Sequence, residues 1–163
     1  MFEMTGQGLR EVQNPSAYFL HHRPTPVAGS VFTVIMEGRR PIVLEVQALV
    51  TRTVFGMPQR RASGFDRNRL ELLLEVLEKH GLSMSSSDVH INIVGGLRVS
   101  EPAVDLAVVG AIISASANRP WDPSTAFLGE VGLTGEVRPA TSLDVRAQEA
   151  HRVGVGRLVG GKP

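Results

Sequence analysis

An arginine-rich segment carries the strongest local charge in this sequence. Between residues 52 and 69 the charged side chains are Arg52, Arg60, Arg61, Asp66, Arg67 and Arg69. The planar guanidinium fork suits phosphate oxygens, and a loop held between two regular elements can present several forks to one nucleic-acid backbone. Arg98, just after two glycines, would add to the same surface. The residues predicted to contact DNA are Arg60, Arg61, Arg67, Arg69 and Arg98.

A second interpretation of this segment is a solvated loop whose arginines pair with Glu71 and Glu75. Charge runs often serve contacts other than nucleic acid. Phe55 and Phe65 flank the arginines, but phenylalanine is more often a core residue than a platform for bases. Base stacking is therefore not the basis of the DNA prediction.

Other kinds of site are poorly supported by the sequence. The absence of cysteine excludes disulfides, thiolate zinc sites and thiol nucleophiles. The five histidines show no metal-ligand spacing, so no metal is expected. Residues 156–162 read G-x-x-x-x-G-K, but Pro163 stands where a serine or threonine would bind magnesium, so no nucleotide site is expected.

Overall composition bounds the class of protein. A chain of 163 residues with a net charge of +1 fits one hydrophobic core and gives no global preference for a polyanion. No apolar run reaches the roughly 18 residues of a membrane helix, and no signal-peptide pattern opens the chain. A cytoplasmic protein without a membrane partner is expected.

Apolar periodicity predicts the elements that would position these residues. A hairpin is expected at 31–37 and 41–50, a loop over 52–69 and a strand at 88–94. Leu70, Leu73, Leu74 and Leu77 share one face of a helix over 66–80. A second helix is expected from about residue 100 to Asn118, and short strands at 125–131 and 133–138.

The C-terminal part predicts a third helix and a last strand. Thr141 and Asp144 resemble a capping box that opens a helix to about residue 153, followed by a strand at 155–159. The order predicts an α+β fold, a mixed β-sheet with helices packed on one face. Residues 1–30 are expected to form a lead-in segment, with one short strand near 17–20, that packs on a domain over 31–163.

Several separated motifs, in order, resemble the C-terminal region of the RadA (Sms) family of bacterial DNA repair proteins. They are GLREV at 8–12, NPSA at 14–17, EVQALV at 45–50, NRL at 68–70, VGG at 94–96 and GEVGLTGEVRP at 129–139. The resemblance runs over essentially the whole chain. It implies the α+β fold of the proteolytic domain of Lon proteases.

The resemblance also implies that the peptidase chemistry of Lon is lost. In Lon-type peptidases a serine after a proline attacks the substrate, and a lysine in a later helix takes its proton. Here the proline is Pro102, the serine position is Ala103, and the lysine position is Asp144. The only lysines, Lys79 and Lys162, lie outside that helix. No catalytic residue is therefore expected in this chain.

What the family implies instead is a scaffold with partners. Its members combine a zinc finger, a RecA-like ATPase and this domain, so zinc, ATP and magnesium are implied for the other domains and no cofactor for this chain. The domain is implied to form a hexameric ring and to contact DNA, with single-stranded DNA expected. Two alternatives remain: a pure oligomerisation module, or a serine peptidase with His90 or His151 as base.

Overall fold

A computed structural model describes residues 2–12, 16, 25–54 and 56–161. The short strand expected near residues 17–20 and the histidine pair at 21–22 lie outside the described residues. Among the described residues, none of the helices has the length and apolar character needed to cross a lipid bilayer.

A six-stranded mixed sheet forms the centre of the fold, in the order β10-β7-β3-β4-β6-β5. Its strands β3 and β4 form the predicted antiparallel hairpin, and β4 alone runs against the other five. The strands are β3 (Ser30–Glu37), β4 (Arg40–Arg52), β5 (Arg60–Ser63), β6 (Ser87–Ile93), β7 (Thr125–Leu128) and β10 (Arg157–Gly160).

Two small antiparallel hairpins accompany the main sheet. The first pairs β1 (Phe2–Thr5) with β2 (Gly8–Glu11) and was not expected from the sequence. The second pairs β8 (Glu130–Val131) with β9 (Val137–Arg138). Residues 133–136, which were expected to be part of a strand, form the turn of this second hairpin.

Among the described residues, three α-helices with defined bounds lie where periodicity predicted them. Helix α1 (Arg67–Lys79) begins at Asp66, whose side chain accepts a hydrogen bond from the Arg69 backbone N–H at 2.8 Å. A 3-10 turn (Pro102–Val104) leads into α2 (Asp105–Ala117), which ends at Asn118 in the left-handed conformation. Helix α3 (Leu143–Arg152) begins at Ser142 without a side-chain cap, so the predicted capping box is wrong.

The α+β mixed sheet is confirmed, but its helices cover both faces. Helices α1 and α2 pack on one face around Ile35, Leu44 and Val46. Helix α3 packs on the other face, where Ala150 contacts Val34 of β3 and Val43 of β4. Successive side chains of a strand point to opposite faces, so Val34 and Ile35 contact different helix layers. The expectation that the helices cover only one face is therefore wrong.

The segment expected to be a loop over residues 52–69 contains a strand. Strand β5 pairs in parallel with β6, with Arg60 opposite Val89 and Arg61 opposite His90. It forms one edge of the sheet and is connected to β6 through α1. The glycine, proline and serine residues around it obscured a strand of only four residues in the sequence.

Candidate functional site

Two of the predicted DNA-contacting arginines hold the fold together. The guanidinium of Arg69 makes a two-pronged ion pair with Asp105 (Nε to Oδ1, 3.1 Å) and donates to the Val131 carbonyl at 2.8 Å. Asp105 is completely buried and raises the pKa of Arg69. These contacts join α1, α2 and β8, so the charge of Arg69 is neutralised inside the molecule.

Arg60 is occupied by backbone carbonyls. Its Nη2 donates to the Met84 carbonyl at 2.7 Å, and its Nη1 donates to the Ser87 carbonyl. The side chain lies on the α1 face of the sheet, in a shallow cavity also lined by Glu75 and Glu78. Arg60 therefore fastens the edge strand β5 to the start of β6, beside acidic side chains that repel phosphate.

The other three predicted arginines are exposed and lie near the end of β5. Arg61 points to the opposite face from Arg60, since successive strand residues alternate, and is exposed like Arg98. Arg67 is exposed in the first turn of α1 and pairs with Glu71 at 2.9 Å. An exposed pair of this kind contributes at most about 1 kcal/mol, so Arg67 can exchange Glu71 for another anion.

Gly64 lies at the crossing of the segments that carry the three exposed arginines. It lies between β5 and α1, and its carbonyl accepts a hydrogen bond from the Val99 N–H at 2.8 Å, which brings the segment with Arg98 against the end of β5. Gly64 has φ +77°, and a Cβ there would lie 2.4 Å from the Leu97 carbonyl oxygen. Only glycine permits this close crossing, which holds the segment with Arg98 against the junction between the strand of Arg61 and the helix of Arg67.

The position expected to carry a serine nucleophile is filled by a buried methyl group. Ala103 is 6% exposed and lies in the 3-10 turn before α2. Its carbonyl accepts a hydrogen bond from the Gly129 N–H at 2.8 Å, and the Gly129 carbonyl accepts one from the Leu106 N–H at 3.0 Å. The turn is thus fixed to the end of β7, but Ala103 has no atom that can attack a peptide carbonyl.

The position expected to carry a lysine base is an exposed carboxylate. Asp144 lies in the first turn of α3, where the helix dipole stabilises a negative charge. A carboxylate here would oppose the formation of a serine alkoxide rather than assist it. As for the alternative bases, in the described part of the chain neither His90 nor His151 hydrogen-bonds to a serine.

A buried ion pair joins the segments that carry these two positions, and sequence reasoning missed it. Arg146 is completely buried and pairs with Glu101, two residues before Ala103. Its Nη1 donates to the Val34 carbonyl at 2.6 Å and its Nε to the Thr141 carbonyl at 2.8 Å. The available signal was the helical spacing of Arg146 from Ala150, which places the arginine on the apolar stripe of α3.

No metal site is apparent among the residues described. Within residues 2–12, 16, 25–54 and 56–161, no group of three histidine, aspartate or glutamate side chains lies close enough to hold a metal ion. His80 instead hydrogen-bonds the Thr134 carbonyl through Nε2 at 3.1 Å. That contact ties the end of α1 to the turn between β8 and β9.

Comparison with known proteins connects this geometry to a family. Residues 71–162 match the Lon protease (S16) C-terminal proteolytic domain. The chain is 47% identical over 160 residues, 98% of its length, to a Bacillus subtilis protein called DNA repair protein RadA. The chain belongs to the family of the Lon protease C-terminal proteolytic domain. A Haemophilus influenzae protein of the same name is 47% identical and aligns with 100% of the chain.

The relation to RadA proteins covers only part of their length. The chain spans 35% of the Bacillus subtilis RadA and 36% of the Haemophilus influenzae RadA. A Streptococcus pyogenes serotype M1 RadA is 47% identical over 159 residues and is likewise spanned to 35%. This chain therefore matches one part of the longer RadA sequences, and that part is a Lon-like domain. In this chain the domain consists of the mixed sheet and the helices packed on it.

Proposed function

We propose that this chain is a non-catalytic, Lon-like scaffold of a RadA-type DNA repair protein that assembles into a ring and holds DNA by its phosphates. The observation that supports the DNA part is the crossing at Gly64, where the segment with Arg98 is hydrogen-bonded to the junction between the strand of Arg61 and the helix of Arg67. Each of these arginines presents a permanently charged guanidinium to solvent. Arg60 and Arg69 support this surface from within instead of contacting DNA.

The absence of hydrolysis is the second part of the proposal. Ala103 supplies no nucleophile, and Asp144 supplies a negative charge where a neutral base would be needed. The buried pair of Arg146 with Glu101 holds the two segments in place. In this proposal the Lon-like fold is retained as a rigid body, and its former catalytic segments now serve stability.

Ring assembly, with a hexamer expected, is the third part. A ring would place the arginine surface of each copy around one DNA strand, and linked weak sites gain affinity from their high effective concentration. Residues 1–30 would belong to the same rigid unit as 31–163, which is supported by the buried Ser16 hydroxyl accepting a hydrogen bond from the Val43 N–H at 3.0 Å.

The implied cofactors of a RadA-type parent would act outside this chain. With no cysteine, the sequence offers no thiolate ligands for a zinc finger, and Pro163 stands in the magnesium-binding position of the incomplete phosphate-loop match. The zinc, ATP and magnesium would therefore belong to the remainder of the parent protein, which works on DNA in the cytoplasm.

Salt dependence of DNA binding tests the arginine surface. Fluorescence anisotropy of a labelled single-stranded oligonucleotide gives the slope of log K against log salt, to which each phosphate neutralised on a single strand contributes about −0.7. Arg61→Ala with Arg98→Ala is expected to reduce the magnitude of the slope by about 1.4 per protomer. Arg39→Ala with Arg119→Ala removes the same charge from exposed positions elsewhere and should leave the slope unchanged.

An equal slope for both double variants would reject the arginine surface. Light scattering of the chain, with and without oligonucleotide, tests the ring independently. A chain that assembles but does not retard single-stranded DNA at low salt would instead be the pure oligomerisation module. A chain that remains a monomer under both conditions would contradict ring assembly.

A further inference from the structure

The sheet face turned away from α1 and α2 is open to solvent where β4, β6 and β5 lie side by side. Two rows of side chains cross these strands: Gln47, Asn92 and Ser63 in the first, and Leu49, His90 and Arg61 in the second. Leu49 is 57% exposed, and Asn92 and Arg61 are also exposed. Helix α3 packs on the other half of this face, around Val34 and Ala126. The two rows therefore form a surface that a ligand can reach.

A groove of about 270 Å³ lies on this surface. Its lining includes Gly29, Ser30, Gln47, Leu49, His90 and Asn92. One wall is fixed, because Gly29 donates its N–H to the Ser114 hydroxyl at 2.9 Å and its carbonyl accepts a hydrogen bond from the Ala48 N–H at 2.7 Å. A single water occupies about 30 Å³, so the groove has room for a larger ligand.

A buried carboxylate orients the amides of the first row. Glu45 accepts hydrogen bonds from the Ser30 hydroxyl and from Gln47 Nε2, the latter at 3.1 Å. Gln47 Oε1 in turn accepts a hydrogen bond from Asn92 Nδ2 at 3.4 Å. An amide has one donor end and one acceptor end, so the Glu45 carboxylate determines which way both amides face. Among the described residues Asn92 makes no other hydrogen bond, which leaves its Oδ1 and one N–H for a ligand.

Permanent charge in the two rows is confined to one cation, Arg61. Asp88 lies one row beyond His90, where it accepts hydrogen bonds from the Thr53 hydroxyl at 2.8 Å and the Gln59 N–H at 2.9 Å. The two rows thus combine neutral donors and acceptors with a single guanidinium, which binds a phosphate well. A ligand with a neutral hydrogen-bonding edge and one adjacent phosphate matches this pattern, and a nucleotide unit has both.

We propose that one nucleotide of single-stranded DNA binds on this surface, with its base over Leu49 and His90, as bases stack on other open sheet faces. Asn92 pairs with the edge of the base, and Arg61 holds the phosphate. Diagonal neighbours on adjacent strands are about 7 to 8 Å apart, so these two side chains can contact the same nucleotide. An asparagine amide matches the adjacent donor and acceptor of adenine, which is the expected base. The inference rests on the proposed function and adds a base site beside its phosphate surface.

Removal of the bases and removal of the Asn92 amide together test the proposal. Fluorescence anisotropy compares labelled oligo(dA) with a chain of the same length in which every nucleotide is abasic. Asn92→Ala is expected to bind oligo(dA) roughly fivefold more weakly than the parent, as for loss of one amide contact with a base. On the abasic chain the two proteins should have equal affinity. The slope of log K against log salt should also be the same for both, since the amide neutralises no phosphate.

Gln148→Ala is the matched control, because it removes an exposed amide from α3, and it should bind both oligonucleotides as the parent does. Equal affinity of Asn92→Ala and the parent for oligo(dA) would overturn the base site while leaving the phosphate surface intact. Failure of the parent chain to bind either oligonucleotide at low salt would instead reject the proposed function itself. If Asn92→Ala changes the assembly state in light scattering and weakens binding of both oligonucleotides equally, the surface is a subunit contact and the inference is overturned.

Discussion

Arg146 and Glu101 form a buried ion pair between residues 45 positions apart in the sequence. The arginine is fully buried, whereas the side chain of Glu101 is 24% exposed. Glu101 also accepts a hydrogen bond from the Met36 N–H at 3.0 Å, so the pair connects β3, the turn before α2 and helix α3. The two partners should therefore differ in what their removal costs.

Removing the Glu101 carboxylate should lower the stability more than removing the Arg146 guanidinium, because the arginine is the fully buried partner. Glu101→Leu leaves a buried cation without its partner, which is expected to lower the free energy of unfolding by about 3 to 5 kcal/mol. Adding Arg146→Met should recover about half of that loss, since an apolar replacement of both partners removes the desolvation penalty. Urea unfolding of the single and double variants measures both. A double variant less stable than Glu101→Leu alone would contradict this account.

Restoring the missing residues should not restore peptidase activity. Ala103→Ser with Asp144→Lys puts both Lon-type groups back, but position 144 is exposed. A lysine in water has a pKa near 10.4 and stays protonated at neutral pH, so it cannot accept the serine proton. Cleavage of fluorescent casein should remain at the level of the parent chain. Hydrolysis by the double variant, absent from the Ala103→Ser control, would show that the site is still assembled.

Arg69 should affect stability rather than DNA binding. Arg69→Lys keeps the charge but loses the two-pronged contact with Asp105, and the expected loss is about 2 kcal/mol of unfolding free energy. Arg61→Lys makes the same change on the surface and should leave stability within about 0.5 kcal/mol of the parent. Urea unfolding gives these values, and salt titration of DNA binding should give the parent slope for Arg69→Lys. A reduced slope would return Arg69 to the DNA-contacting set.

The pKa of the Glu136 carboxyl group should be unusually low. Hydrogen bonds from the Thr134 hydroxyl and from its own backbone N–H, with a further contribution from Arg138, lower the pKa of Glu136 to about 2. Because its folded pKa lies below its unfolded value, its contribution to stability is complete above about pH 4.5 and is lost as the pH falls toward 2. A carboxyl NMR titration measures this directly. Thr134→Ala should move the pKa upward, whereas Ser124→Ala should leave it unchanged.

Local pattern was sufficient to predict most elements of this fold. The leucine spacing in α1 and the β-branched residues of β3 and β4 determine structure through nearest neighbours, and both appear as predicted. The strand β5 was missed because four residues beside glycine and proline carry too little periodicity. Helix α3 was located, but its face of the sheet depends on packing that no local pattern encodes.

The candidate site was less accessible to sequence reasoning. In the sequence the five predicted arginines are equivalent charges. In the structure Arg69 pairs with a carboxylate 36 residues away, and Arg60 donates to the carbonyls of Met84 and Ser87. Such partners become visible only after the chain is folded. Arg146 was overlooked for the same reason, because a fully buried arginine requires a partner that sequence alone does not identify.

The strand order has a kinetic meaning as well. In the main sheet, β3 and β4 are the only paired strands that a tight turn connects. Every other pairing closes a long stretch of chain, and this closure is slow because of its entropy cost. The hairpin should therefore acquire protected amides early in refolding, and the edge strand that carries Arg61 should follow. Pulsed hydrogen exchange that found β5 protected first would reverse this order. Because β5 pairs only with β6 in the main sheet, the proposed DNA surface would be completed after the hairpin, on a framework that is already partly folded.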